Sequence, residues 1–177
     1  MTGGGILRRL RADRRGVAAV EFAFIAPILI LMYFGVAEFT QGMIVKRRVS
    51  HVASTIADLT SRVTQVNAAD TTDIFSVGRT IVAPLSTCSL KMRLTSLTSD
   101  GANVSRVDWS DASNWTTLTP NAVVVVPAGV ISANQSVIRA DVQYTYDSPV
   151  HYLIPTGIVI NQTYYLRPRL STQVLHN

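Results

Sequence analysis

The stretch RRGVAAVEFAFIAPILILMYFGV runs from Arg14 to Val36, and from Val17 onward Glu21 is its only charged residue. As a helix, Val17–Val36 would span roughly 30 Å, the thickness of a bilayer core. The run is apolar on all sides and follows directly on arginines. Both features argue against the amphipathic helix of a soluble core. Pro27 removes the hydrogen bond to the carbonyl of Ala23 and predicts a local bend. Proline is more frequent in membrane helices than in soluble ones, so it does not argue against a span.

The 177-residue chain carries a net charge of +5. Spread evenly, that balance would suit nucleic acid. It is not spread evenly: Arg8, Arg9, Arg11, Arg14 and Arg15 against Asp13 place +4 before Val17, and the remainder holds eleven basic and ten acidic side chains. Such a cluster orients a membrane segment with its N-terminus in the cytoplasm and is not a nucleic-acid footprint. Lys46, Arg47 and Arg48 beyond the span oppose that orientation less strongly. Cys88 is the only cysteine, which excludes an intrachain disulfide and a multi-cysteine metal site. A lone thiol behaves as a small apolar group, so Cys88 is expected to be buried.

Glu21 needs explaining. Acids at the centre of a bilayer cost about 2.5–3.5 kcal/mol and less toward its edge. Glu21 lies about 6 Å along the helix from Val17. A glutamate that reaches back to the headgroups needs no partner. A functional one needs a positive charge in the same layer, and cleavage after Gly16 would create one, the free amine of Val17. In a staggered assembly, the Glu21 of one subunit would meet the amine of its neighbour. The low dielectric strengthens such a pair, and only its presence offsets the desolvation of both groups.

A short basic leader, Gly16, an apolar stretch, Glu21 five positions beyond the glycine and Phe22 after it together resemble a class III prepilin signal. With a polar extension and a modest domain following, the chain most closely resembles the TadE-like pseudopilins of tight-adherence (Tad) pilus systems. The resemblance covers Arg14 to about Glu38. It implies that Gly16 precedes the cleaved bond, that Val17 becomes the new terminus, and that Glu21 and Phe22 serve processing or assembly. It also implies a prepilin peptidase, other Tad pilins or pseudopilins and the inner-membrane assembly platform as partners, alongside the lipid bilayer, with no nucleic acid. The protein would be single-pass in a bacterial inner membrane, with its C-terminal domain periplasmic or carried into a pilus. Small pilins of these systems usually carry tyrosine after the glutamate and end soon after the helix. Phe22 and the C-terminal domain therefore point to a minor pseudopilin. Two other readings stay open: an uncleaved signal anchor displaying a scaffold or binding domain, and a secretory signal cut after Gly35-Val36-Ala37.

Beyond the span, Val45, Val49, Val52, Ile56, Leu59 and Val63 step by 4, 3, 4, 3 and 4, a stripe on one helical face. The helix should continue to about Val66 and pack this stripe on the chain's own C-terminal domain. The stripe is too short to establish a coiled coil. The expected organisation is a leader over 1–16, a transmembrane helix with amphipathic extension over 17–66, and an α+β domain over 67–177.

The polar run Asn67–Asp73 predicts a break, with Thr71 or Thr72 capping a second helix that carries Ile74, Phe75, Val77, Ile81 and Val82 and ends before Pro84. Ile74, Val77 and Ile81 step by 3 and 4 and would share one helical face, a pattern that Gly78 interrupts. Strands follow: Leu90, Met92 and Leu94 alternate with polar residues, Val104–Trp109 and Ala122–Val126 are candidates, and Ile138, Ala140, Val142 and Tyr144 share a face opposite Arg139, Asp141 and Gln143. Tyr164–Arg169 would close the sheet, with Pro168 marking an edge. Ser99-Asp-Gly-Ala102 reads as a hairpin turn. Helices first and strands later predict an α+β fold whose antiparallel sheet is covered on one side.

No nucleotide-binding, nucleophile-elbow or zinc-protease motif is present, and no cofactor or metal is implied. His51, His151 and His176 are scattered and read as surface residues. Asp108 and Asp111 suit a solvated loop better than a cation site. Asn103, Asn114, Asn134 and Asn161 begin glycosylation-type tripeptides but fit polar turns. Trp109, Trp115 and the tyrosines 144, 146, 152, 164 and 165 are expected mostly to pack the sheet.

Overall fold

The computed structural model describes residues 15–147 and 157–177. Arg8, Arg9, Arg11, Arg14, His151 and Tyr152 lie outside the described residues. The chain divides into two compact units, Met1–Gln41 and Gly42–Asn177. One 47-residue helix, α1 (Arg15–Ser61), runs through both and passes Pro27 without interruption. It stops short of the expected Val66. The Thr60 hydroxyl donates to the Ile56 carbonyl at 2.8 Å and the Ser61 hydroxyl to the Asp58 carbonyl at 2.8 Å. These side chains compete for the carbonyls of the last turn, a known way for serine and threonine to disturb a helix.

After Ser61 the chain becomes extended as β1 (Gln65–Val66) and enters α2 (Ala68–Val82). The cap of α2 is Asn67, not Thr71 or Thr72. Its side-chain oxygen accepts from the Ala69 and Asp70 amides at 2.8 and 3.0 Å, and Asp70 accepts from the Asn67 amide at 3.0 Å. This reciprocal box satisfies donors that a helix start leaves orphaned. The other end is held from α1, where the Arg48 guanidinium donates to the carbonyls of Val82 and Ala83. A cation there also complements the helix dipole.

The buried face of α2 is Thr71, Phe75, Gly78 and Val82, rotated from the expected Ile74, Val77 and Ile81. Gly78 explains the rotation. A Cβ at this position would lie 2.6 Å from Met92 Sδ and 3.2 Å from Val52 Cγ1. The missing side chain lets the helix backbone approach its neighbours closely.

Four strands form one antiparallel sheet: β2 (Leu90–Ser99), β3 (Ser105–Ser113), β4 (Ser136–Tyr146) and β5 (Ile158–Leu166), in the order β3-β2-β4-β5. The fold is α+β. Leu94 pairs with Ala140, Met92 with Val142 and Leu90 with Tyr144, so side chains alternating along both strands meet on one face. That face packs against Val45, Val49, Val52, Ala53, Ile56 and Ala57 of α1 and Phe75 and Val82 of α2. The stripe of α1 thus finds its cover in the chain's own domain. The cover does not follow the stripe to its end: Leu59 is half-buried, Val63 lies past the helix and is exposed, and Thr60 is buried instead. An α-helix turns every 3.6 residues, so a stripe repeating every 3.5 drifts off the packed face.

Residues 100–104 form the expected β2–β3 turn, with Asp100 Oδ1 accepting from the amides of Ala102 and Val104 at 2.9 Å each. Ala122–Val126 is not a strand of the sheet. Only Val123 makes an isolated bridge, to Arg106. Ala122, Val124 and Val126 pack on Leu97, Val107 and Val137 across the second sheet face, while Val123 and Val125 point outward, 58% and 91% exposed. The β2–β3 ladder carries a register shift after Ser96, the kind of irregularity that bends a strand locally. The closing strand, β5, begins six residues before the expected Tyr164 and ends before Pro168. Cys88 is exposed in the turn ahead of β2, correcting the expectation of burial. The buried series of β2 begins only at Leu90, two residues further on.

Finally, β6 (Leu175–His176) pairs in parallel with β1, Gln65 opposite Leu175 and Val66 opposite His176. Further bonds from Arg169 N to Ser61 O and from Asn177 N to Val66 O, 2.8 and 3.0 Å, tie the C-terminus to the segment that follows α1.

Candidate functional site

The first unit presents its chemistry on α1. Gly16 and Val17 occupy its first turn, with Glu21 one turn on and Phe22 beside it. Helical spacing puts Val17 and Glu21 on the same face, one above the other. Every large apolar side chain from Val17 to Val36 is exposed, including Phe22 at 69% and Phe24 at 74%. An apolar surface that encircles a helix and stays uncovered requires lipid or other apolar helices as its solvent. The helix is long and apolar enough to cross a membrane.

In the second unit, Val45, Val49, Val52 and Ile56 are buried in the domain core. They serve as its floor and offer no free surface to a partner helix. Two polar constellations appear that the sequence reading did not assemble. On the sheet face away from the helices, Asp141, 3% exposed, receives Arg93 Nη2 at 2.8 Å, Arg139 Nε at 2.9 Å and Thr163 Oγ1 at 2.7 Å. Arg93 also lies over the Trp115 ring at 4.6 Å from its centroid. Two guanidinium groups and a hydroxyl satisfy one buried carboxylate, as a charge removed from water requires. The opposite charges sit on facing residues, Arg93 opposite Asp141. That register was the signal, and it becomes readable only once the strands are aligned.

The second constellation joins distant parts of the chain. Asp111 Oδ2 accepts from Thr71 Oγ1 of α2 at 2.7 Å and is 2.9 Å from His176 Nε2. The His176 ring lies 5.3 Å from that of Trp109. His176 is therefore half-buried in a clasp and is not a surface residue. Asp108 and Asp111 are both in β3, not in a loop. Asp108 Oδ2 accepts from Ser96 Oγ and Thr98 Oγ1 at 2.9 and 2.8 Å. Among the described residues no group of His, Cys, Asp and Glu is arranged to hold a metal ion. Asn103, Asn114 and Asn134 have φ of 60°, 54° and 59°, the left-handed conformation that asparagine tolerates better than other side chains. Asn161 lies in β5 and bonds to Gln143 at 2.8 Å. Trp109, Tyr144 and Tyr146 are buried, as packing of the sheet predicts, whereas Tyr164 is 43% exposed.

The fold and the exposed apolar helix together define a membrane-anchored α+β protein. Residues 16–58 match the family model described as TadE-like protein. The match begins at the glycine of the expected cleavage site and ends one turn before α1 does, and over these residues the chain is similar to TadE-like, pilin-related proteins. No curated protein and no solved structure matches the chain.

Proposed function

We propose that this protein is a non-enzymatic minor pseudopilin that takes part in assembling or operating a Tad-type adhesive pilus. A prepilin peptidase cuts after Gly16, the apolar part of α1 crosses the inner membrane once with its N-terminus inside, and the α+β domain lies in the periplasm. The observation that carries this reading is the coincidence of Gly16, Glu21 and an apolar helix exposed on all sides within the stretch that matches the TadE-like family. Glu21 then pairs with the Val17 amine of a neighbouring subunit and sets the register of helix packing. Other Tad pilins or pseudopilins and the assembly platform are the partners.

Mass spectrometry of the protein from its host membranes tests the proposal. A chain that begins at Val17 supports it. An intact leader removes it and leaves an uncleaved signal-anchored scaffold or binding protein, a reading favoured by the self-contained core of Gly42–Asn177. The Glu21→Ala protein is expected to insert into the membrane and be absent from the pilus fraction. Its normal incorporation would refute the charge pair.

A further inference from the structure

The apolar surface of α1 does not stop where the sequence run does. Beyond Val36 the helix keeps Phe39, Met43 and Ile44 exposed, at 69%, 40% and 42%. Val36, Phe39, Met43 and Arg47 step by 3, 4 and 4 and share one face. Glu38, Val45 and Val49 are buried on the opposite side. On the exposed side, the Thr40 hydroxyl donates to the Val36 carbonyl at 2.8 Å and is satisfied within the helix. The surface ends at two cations. Arg48 is taken up by the carbonyls of Val82 and Ala83. Lys46 and Arg47 are exposed and make no hydrogen bond or ion pair with any described residue.

From Val17 to Ile44 the helix rises roughly 42 Å. A bilayer core is about 30 Å thick, and core plus both headgroup regions about 40–45 Å. Confining the whole run to the core needs a tilt of about 44°, beyond the roughly 0–40° that spanning helices show. Laid across the full bilayer, the run fits without that tilt. A basic pair then marks each end, Arg14 and Arg15 before the run and Lys46 and Arg47 after it. Lysine and arginine near helix ends reach for headgroups in this way.

We propose that Phe39, Met43 and Ile44 lie in the lipid interface and that Lys46 and Arg47 bind lipid phosphates there. The midplane then falls between Ile30 and Leu31. The hydrocarbon core runs from about Glu21 to Thr40, not from Val17 to Val36. Glu21 stands about 14 Å from the midplane, at the edge of the hydrocarbon, where its carboxylate reaches headgroups and water. The free subunit therefore needs no counter-charge for Glu21, and the pair with a neighbour's Val17 amine belongs to the assembled state. Lipid is the occupant for two reasons. The exposed face over 36–44 continues the surface that already requires it. Phosphates also complement two cations that have no partner among the described residues. The proposal rests on α1 crossing the membrane and is independent of leader cleavage.

The full-length chain in vesicles of phosphatidylethanolamine and phosphatidylglycerol tests this. In a Cys88→Ser background, bimane is attached to Met32→Cys, Met43→Cys or His51→Cys. Quenching is measured with iodide on both sides of the membrane, and with lipid carrying a nitroxide at the headgroup or deep in the acyl chain. The probe at position 32 is expected to respond to the deep nitroxide. The probe at position 43 is expected to respond to the headgroup nitroxide. Iodide should quench it roughly threefold less than the probe at position 51, as for a site within the interfacial layer. Lys46→Glu with Arg47→Glu is expected to raise iodide quenching at position 43 roughly twofold, because anionic headgroups repel the new charges. Lys46→Arg with Arg47→Lys is expected to leave it unchanged. Equal iodide quenching at positions 43 and 51 would end the span near Val36 and overturn the proposal. Shielding of position 43 from both iodide and the headgroup nitroxide would place protein on that face and overturn it too. An unchanged response in the double glutamate variant would remove the phosphate contact. If position 32 escapes the deep nitroxide, the membrane-crossing reading itself fails. An intact leader in the host, by contrast, would refute processing and leave these results standing.

Discussion

The indole N–H of Trp109 donates to the carbonyl of Val174, 2.8 Å away across 65 residues of sequence. This bond seats the C-terminal strap: Val174 is fully buried, and the next two residues form β6 against β1. Trp109→Phe keeps an aromatic ring but leaves a buried carbonyl without its donor, a loss of about 1–3 kcal/mol. Thermal unfolding followed by near-ultraviolet circular dichroism should show a lower midpoint. An unchanged midpoint would mean that the strap contributes nothing to the domain.

Gly78 should resist even the smallest substitution. Alanine normally stabilises a helix by roughly 1 kcal/mol over glycine. Here its methyl would meet Met92 Sδ and Val52 Cγ1, and overpacking costs about 1–3 kcal/mol. Gly78→Ala is expected to be net destabilising in denaturant titrations. Adding Met92→Ala should recover part of the loss, because the two changes share one space. Strict additivity of the two would show that the contact is not what constrains this position.

The Asp141 cluster predicts a large penalty for a small change. Asp141→Asn leaves Arg93 and Arg139, whose side chains are only 11% and 19% exposed, without their shared carboxylate. Removing one partner of a buried pair typically costs about 3–5 kcal/mol. By contrast, Asp58, which meets Arg62 and Arg169 at the surface, should tolerate Asp58→Asn with a loss of about 1 kcal/mol or less. Comparable losses at the two sites in urea unfolding would contradict the distinction between buried and exposed pairs.

The two ends of the helical stripe should behave differently. Ile56 is fully buried, so Ile56→Ala is expected to cost about 2–5 kcal/mol. Val63 lies outside α1 and is exposed, and Val63→Ala should change stability by about 0.5 kcal/mol or less. Equal effects would place Val63 in the core and restore a helix reaching Val66.

Backbone conformation governs the turn asparagines. Asn103→Gly should be close to neutral, whereas Asn103→Val should cost about 1–2 kcal/mol, because β-branched residues avoid positive φ. Thermal midpoints of the two variants give the comparison. If valine is tolerated as well as glycine, the turn relaxes and the left-handed residue is not required.

Much of this protein was legible in its sequence. The apolar helix followed from Val17–Val36, the α+β class from the change in periodicity, and the faces of β2 and β4 from their alternation. These are local properties: each depends on residues within a turn or two, where spacing and side-chain type decide the outcome. Asn103, Asn114 and Asn134 were legible as turn residues for the same reason, whereas Asn161, expected in a turn, lies in β5. The cap of α2 was missed because two good candidates, Thr71 and Thr72, lay inside a helix whose start at Asn67 depends on the reciprocal bond with Asp70.

Tertiary structure decided what depends on juxtaposition. Which face of α2 is buried turned on the space that Gly78 leaves for Met92 and Val52. Asp111, Thr71 and His176 meet because the C-terminus returns to pair with β1, and nothing in the spacing of those residues records that return. Val123 and Val125 face outward because Ala122, Val124 and Val126, which alternate with them, pack on Leu97, Val107 and Val137 of the second sheet face. Sequence periodicity specifies which side of an element is apolar. The packing of elements far apart in the chain determines which of those sides can be covered at once.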